Sequence, residues 1–247
     1  MSNINILILA SLAGLATFLG VLLGNFSQHT KKHITFSASF AACLMILISV
    51  FDLIPKALNG LEIEKLIIWV LAGLGIIWLI NILIPHLHSV REIKSCRNQC
   101  LVRMSYLVAI GLILHDFPEG LAIPSSFSNS QSLGFLVLLV TFVHNIPEGY
   151  ILTLSQTNRD GKYFSYRTAL LSALATFLGA ILCINLLSYY AVLGPALLSL
   201  AAGAMLFIAG HELLPESFKY HERKNFLLGI ILAGLIYLVL KISLFLF

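Results

Sequence analysis

Charge is scarce in this chain. Of its 247 residues only 11% are Asp, Glu, Lys or Arg, against 59% hydrophobic, and the mean hydropathy is +0.95. Such a balance excludes a soluble globular domain. Long polar segments are missing too, so there is no room for a separate soluble domain between the apolar runs. Cysteine is equally sparse, with four residues. Cys43 and Cys183 fall inside apolar runs, where a small sulfur side chain packs. Cys96 and Cys100 fall in a basic loop expected to face the reducing cytoplasm, where a disulfide does not persist. The HExxH pattern of helical zinc hydrolases is absent as well.

What is present is a series of apolar runs, each of about 20 residues and long enough for a helix to cross roughly 30 Å of hydrocarbon. Eight are expected, over 4–24, 34–54, 66–84, 101–123, 133–156, 168–187, 193–214 and 225–246. The predicted fold class is therefore an all-α polytopic membrane protein. The first run lacks a basic start and resembles a later run too closely to be a cleaved signal peptide, so it is expected to stay as a helix.

The few cations are distributed unevenly. Lys31, Lys32, Arg91, Lys94, Arg97, Arg103, Arg159, Lys162, Arg167, Lys219, Arg223 and Lys224 all follow odd-numbered spans, whereas the other side holds only Lys56, Lys65 and Lys241. By the positive-inside rule both termini are predicted to lie outside the cytoplasm, with a cell membrane as the setting. This asymmetry accounts for the net charge of +4 without a nucleic-acid partner.

The chain also repeats. "LATFLG" occurs at Leu15–Gly20 and again at Leu174–Gly179, "SFAACLMILISVFDLIPK" from Ser39 aligns with "SLAAGAMLFIAGHELLPE" from Ser199, and "LAGL" at Leu71 returns at Leu232, at offsets of 159, 160 and 161 residues. Spans 1 to 3 thus reappear as spans 6 to 8. Five spans separate each pair, and an odd number reverses direction, which predicts inverted-topology repeats around a midplane site. The expected organisation is one transmembrane domain over 1–247, with repeat one at 1–85, central motif helices at 101–156 and repeat two at 168–247.

The central spans carry "HDFPEG" from His115 and "HNIPEG" from His144. At 100° per residue His115 and Glu119 share one helical face, as do His144 and Glu148. Asp116 and Asn145 add oxygen donors beside the imidazoles. Pro118 and Pro147 bring no N–H to the carbonyls of Leu114 and Val143. Gly120 and Gly149 permit a kink or a close helix approach. Three ionised carboxylates at mid-membrane, Asp116, Glu119 and Glu148, cost roughly 8 to 10 kcal/mol if unpaired. Neither span has a deep basic residue to neutralise them. A divalent cation does so, and the mixed imidazole and carboxylate set suits zinc or a first-row neighbour better than magnesium or calcium. The predicted metal ligands are His115, Asp116, Glu119, His144, Asn145 and Glu148.

With these residues in place the sequence resembles the ZIP (Zrt- and Irt-like) divalent-metal transporters over nearly its whole length. The resemblance implies a 3+2+3 arrangement of spans and transport of zinc, with iron, manganese, cobalt or cadmium also admitted by ligand softness, into the cytoplasm. The metal is then cargo, and no organic cofactor is expected. His115, Glu119, His144 and Glu148 would form the primary transport site, and Asp116 and Asn145 would extend it to a second. Two departures stand out. Asp116 replaces the usual Asn, and "SALATFLGA" from Ser172 puts Thr176 and Phe177 where the family often has Glu and Pro, so one firm site is expected. "HELLPES" implies an exit station at His211 and Glu212, with Glu216 beside it; "FDLIPKA" implies Asp52 at the entrance. The loop with His86, His88, Cys96 and Cys100 implies metal reception. His29, His33 and His221 carry no functional expectation. A homodimer is left open, since no motif specifies one.

Two other classes use the same ligands. A membrane-embedded zinc hydrolase needs an open coordination position and a general base, and a proton or cation channel needs only carboxylates to relay charge. Inverted repeats flanking the site favour alternating access over hydrolysis, and saturable, zinc-competed flux distinguishes a carrier from a channel.

Overall fold

A computed structural model describes residues 1–27, 30–83, 98–153 and 159–246; of residues 83, 98–112, 114, 159–161 and 246 it describes the backbone alone. It contains eight long helices and, among the described residues, no strand. They are α1 (Asn3–Phe26), α2 (Lys31–Leu58), α3 (Ile63–Leu83), α4 (Asn98–Asn129), α5 (Gln131–Leu152), α6 (Arg159–Tyr189), α7 (Ala191–Phe218) and α8 (Arg223–Leu246). Ser2, Thr30 and Ser130 cap α1, α2 and α5 by accepting from backbone N–H groups three residues on, satisfying one of the donors that a helix start leaves open.

Every expected span coincides with a helix, and seven are apolar and long enough to cross a membrane. The remaining helix, α4, carries His115, Asp116 and Glu119 in the second half of its length. Expected residues 84 and 154–156 lie outside the described residues.

One boundary is corrected. Span 4 was expected to stop at residue 123, before Pro124, yet α4 continues to Asn129 with Pro118 and Pro124 both inside it. Only Ser130 separates it from α5. Breaking a helix at membrane depth exposes several backbone groups without water to take them, so the chain tolerates one missing N–H instead. Ser125 and Ser128 help by donating to carbonyls three and four residues back, Leu121 O at 2.8 Å and Ser125 O at 2.7 Å.

The helices pack as two groups. One holds α1, α4, α5 and α6; the other pairs α2 with α8 and α3 with α7, while α2–α5 and α4–α7 contacts join the groups. The apolar windows of α2, α5 and α7 are 67%, 67% and 61% buried, against 17% for α3 and α8, so α3 and α8 are peripheral. Their outward Leu and Ile side chains suit a lipid surrounding rather than a water-facing surface.

Two helices share an irregularity. In α2, residues Ser49–Leu53 form a π-helical turn in which Ile54 N–H reaches back five residues to Ser49 O. In α7, Ala209–Leu213 do the same, with Leu214 N–H on Ala209 O. Each turn is followed by a proline, Pro55 or Pro215. A proline ring crowds the carbonyl four residues before it and brings no N–H, and the extra residue of a π turn relieves that crowding.

Candidate metal centre

The α4–α5 hairpin brings both motifs to one depth. His115 and Glu119 project from α4, and His144 and Glu148 from α5. His115 Nε2 lies 3.4 Å from Glu148 Oε2 and 3.6 Å from Glu119 Oε1, and His144 Nε2 lies 2.9 Å from Glu119 Oε1. All six predicted ligands, including Asp116 and Asn145, are buried. One donor atom from each of His115, Asp116, Glu119 and Glu148 falls within 4.8 Å of the other three. A tetrahedral ion with bonds near 2.1 Å holds its ligands about 3.4 Å apart, so little movement separates this cluster from a coordination shell.

The electrostatics favour a cation. His115 Nε2, Asp116 Oδ1, Glu119 Oε2, Asn145 Oδ1 and both Glu148 oxygens are buried without a hydrogen-bond partner. Unpaired buried acceptors of this kind cost far more than paired ones. Among the described residues the lysines that pair with carboxylates do so elsewhere, at Glu62, Glu216 and Asp52, and none reaches the cluster.

Neighbouring helices orient the ligands. His144 Nδ1 lies 2.8 Å from Val140 O. A carbonyl only accepts, so Nδ1 carries the hydrogen; Nε2 is the nitrogen that faces the cluster, and it can ligate where a metal ion replaces the proton of its contact with Glu119. Asn145 Nδ2 donates to Ala13 O of α1 at 3.1 Å, which leaves Oδ1 free. On α6, Ser172 Oγ donates to Asp116 Oδ2, which leaves Oδ1 of Asp116 directed elsewhere. The sequence reading had no role for Ser172; its only signal was its place one turn before Thr176. Thr176 itself is buried and donates to Ser172 O at 3.3 Å.

The glycines serve close approach, though against the outer helices. A Cβ added at Gly149 would sit 2.0 Å from Thr17 O of α1, and one at Gly120 would sit 2.1 Å from Thr176 O of α6. Thr17 and Thr176 are equivalent positions of the two "LATFLG" segments, whose own glycines lean on Ile146 O and Phe117 O. The hexapeptide that recurs in the sequence is thus the surface on which each Pro-Glu-Gly rests.

The remaining sequence-predicted stations are separate from this cluster. Both Asp52 oxygens are taken, by Lys241 Nζ at 2.8 Å and by the Tyr237 hydroxyl. Asn81 Nδ2 of α3 lies 3.3 Å from Glu212 Oε1 and 3.4 Å from His211 Nδ1, and the His211 ring stacks on Phe207. Glu216 pairs with Lys219 at 3.1 Å. His29, His86, His88 and Cys96 lie outside the described residues, and Cys100 is described by its backbone alone. Cys43 and Cys183 are free thiols, Cys183 buried.

A polytopic helical membrane protein with a buried imidazole and carboxylate cluster on two proline-containing central helices is a metal-handling membrane protein. Residues 85–240 match the family model described as "ZIP Zinc transporter". The zinc transporter ZupT of Streptococcus mutans serotype c is 36% identical, the alignment covering 97% of this chain and 96% of that protein. Zinc transporter ZupT of Salmonella heidelberg (strain SL476) is 32% identical over 95% and 96% respectively. The chain belongs to the ZIP family, a family of transporters, and is not an enzyme.

Proposed function

We propose that this protein carries zinc across a cell membrane into the cytoplasm, using the cluster on α4 and α5 as its transport site. The observation that carries the reading is the set of buried, partnerless donors from both motifs: His115 Nε2, Asp116 Oδ1, Glu119 Oε2 and both Glu148 oxygens. One divalent ion stabilises all of these atoms together, and no lysine or arginine among the described residues reaches them. His115, Glu119, His144 and Glu148 hold the ion; Asp116 adds a negative oxygen and Asn145 a neutral one. Iron, manganese, cobalt and cadmium are accepted to lesser degrees, because nitrogen and oxygen donors do not exclude them.

In this reading the ion enters hydrated, exchanges water for imidazole and carboxylate, and leaves when the cluster opens to the other face. Both termini lie outside the cytoplasm, and 1–85 and 168–247 are inverted repeats around 101–156. The π turns before Pro55 and Pro215, 160 residues apart, support that organisation, and so does the packing of both "LATFLG" segments on the two Pro-Glu-Gly motifs.

The test is zinc-65 uptake by the purified protein in liposomes. His115→Ala and Glu148→Ala are expected to abolish uptake while the protein stays folded. Unchanged accumulation in both variants refutes the site.

A further inference from the structure

Lys241 of α8 is surrounded by oxygen. Its ammonium lies 2.8 Å from Asp52 Oδ1, 2.9 Å from the Tyr237 hydroxyl and 3.3 Å from Phe51 O. An ammonium has three N–H donors, and here each meets one oxygen. Tyr237 closes the network by donating to Asp52 Oδ2. Asp52 is 3% exposed and Tyr237 4% exposed, so a buried carboxylate has its counter-charge supplied from within the chain.

The backbone explains why an acceptor is available. Phe51 lies in the π turn, four residues before Pro55, and a proline brings no N–H to the carbonyl at that distance. A carbonyl released from its helix, a carboxylate and a phenol together make a small hard-oxygen cage of the kind that holds cations. The matching positions 160 residues away differ. Asp52 corresponds to Glu212, and the side chain that reaches Glu212 from α3 is Asn81, 3.3 Å away, with an uncharged amide. The two ends of the molecule therefore share a carboxylate after a π turn, and at the α2 end a lysine of α8 reaches it.

We propose that Lys241 is a built-in cation: it fills an oxygen cage that otherwise takes a divalent metal ion, and so makes Asp52 an anchor between α2 and α8 rather than a stopping point for the transported ion. A side chain tethered to its site acts at an effective concentration on the order of millimolar, above that of a scarce transition metal. Removing the ammonium alone leaves a buried carboxylate uncompensated, a state that strongly favours capture of another cation. This inference concerns a different end of the molecule from the α4–α5 cluster and does not depend on that assignment.

The test is zinc binding to the full chain in detergent by equilibrium dialysis. Lys241→Leu is expected to bind one zinc equivalent more than the wild type, and Lys241→Leu with Asp52→Asn to return to the wild-type stoichiometry. Lys241→Ala carries the same expectation should the leucine variant fold poorly. In liposomes the double variant is expected to keep a zinc KM within about twofold of wild type, because no transport contact is lost. A stoichiometry unchanged by Lys241→Leu and Lys241→Ala overturns the cage, and a rise of about tenfold or more in the KM of the folded double variant overturns the anchor. Loss of the α4–α5 site assignment would show instead in the His115 and Glu148 variants and would leave the added equivalent intact.

Discussion

Glu119 Oε1 on α4 lies 2.9 Å from His144 Nε2 on α5, inside a helix pair where neither side chain meets solvent. Because His144 Nδ1 faces Val140 O, the neutral ring offers Glu119 a lone pair and no hydrogen. Two acceptors this close need a proton or a metal ion between them. The contact therefore marks where a cation is required, and its consequences can be measured.

Glu119 reaches both imidazoles, one from each motif. Glu119→Gln keeps the shape and removes the charge. Zinc affinity is expected to fall by about 10- to 100-fold or more, the scale seen when supporting or direct metal contacts are lost. Isothermal titration of the purified protein measures it, and an unchanged affinity contradicts the assignment.

Glu148 has two buried oxygens without a hydrogen-bond partner. Glu148→Gln removes an uncompensated charge, so the metal-free protein is expected to become more stable, by up to about 3 kcal/mol. The stabilisation that zinc gives the wild type is expected to disappear. Thermal midpoints with zinc and with a chelator separate the two effects; a metal-free variant that melts lower, with its zinc response intact, argues against the site.

Protonation opposes the metal. An imidazolium has no lone pair at the ligating nitrogen, and a protonated carboxyl is a poor ligand, so zinc binding releases protons and weakens as pH falls. Affinity at pH 5.5 is expected to be at least about tenfold below that at pH 7.5. Titrations in buffers with different ionisation heats report the released protons directly, and a heat independent of buffer rules the mechanism out.

Ser172 is the partner of Asp116. Ser172→Ala frees the carboxylate to rotate and is expected to weaken zinc binding by about tenfold, with Ser172→Thr restoring much of it, as for a residue that orients a ligand. Equal affinity in the alanine variant and the wild type assigns the serine to packing alone.

Glycine positions give a paired control. Gly149→Ala places a methyl group 2.0 Å from Thr17 O, and a backbone carbonyl inside a helix does not step aside. The expected cost is about 1–3 kcal/mol or more, read as a lower thermal midpoint and reduced expression. A Cβ at Gly75 or Gly234 meets nothing within 4 Å, so alanine there is expected to be neutral or to stabilise by up to about 1 kcal/mol through helix propensity. Equal destabilisation at all three positions argues against the close crossing.

Much of this architecture was legible in the sequence because hydrocarbon imposes length. Eight runs of sufficient length became eight helices, and the His and Glu pairs one turn apart met where helical geometry places them. Proline gave a weaker signal. Pro124 reads as a boundary in water, and in an apolar setting α4 passes through it. The π turns at Ser49–Leu53 and Ala209–Leu213 were invisible because one inserted residue does not disturb an all-apolar run. Ser172 and Lys241 escaped notice for a related reason: their partners lie 56 and 189 residues away. Asp52 alone gave no indication that its charge was already met.

Ser130 is the whole connection between α4 and α5, and just inside it Gly134 accepts the Phe127 ring where any Cβ would collide. A link of one residue leaves no slack for one arm of the hairpin to slide along the other. Whatever rearrangement exposes the ion to one face and then the other, both arms must travel together. The proposed ligands on the two arms therefore keep their positions relative to one another in any motion of this hairpin.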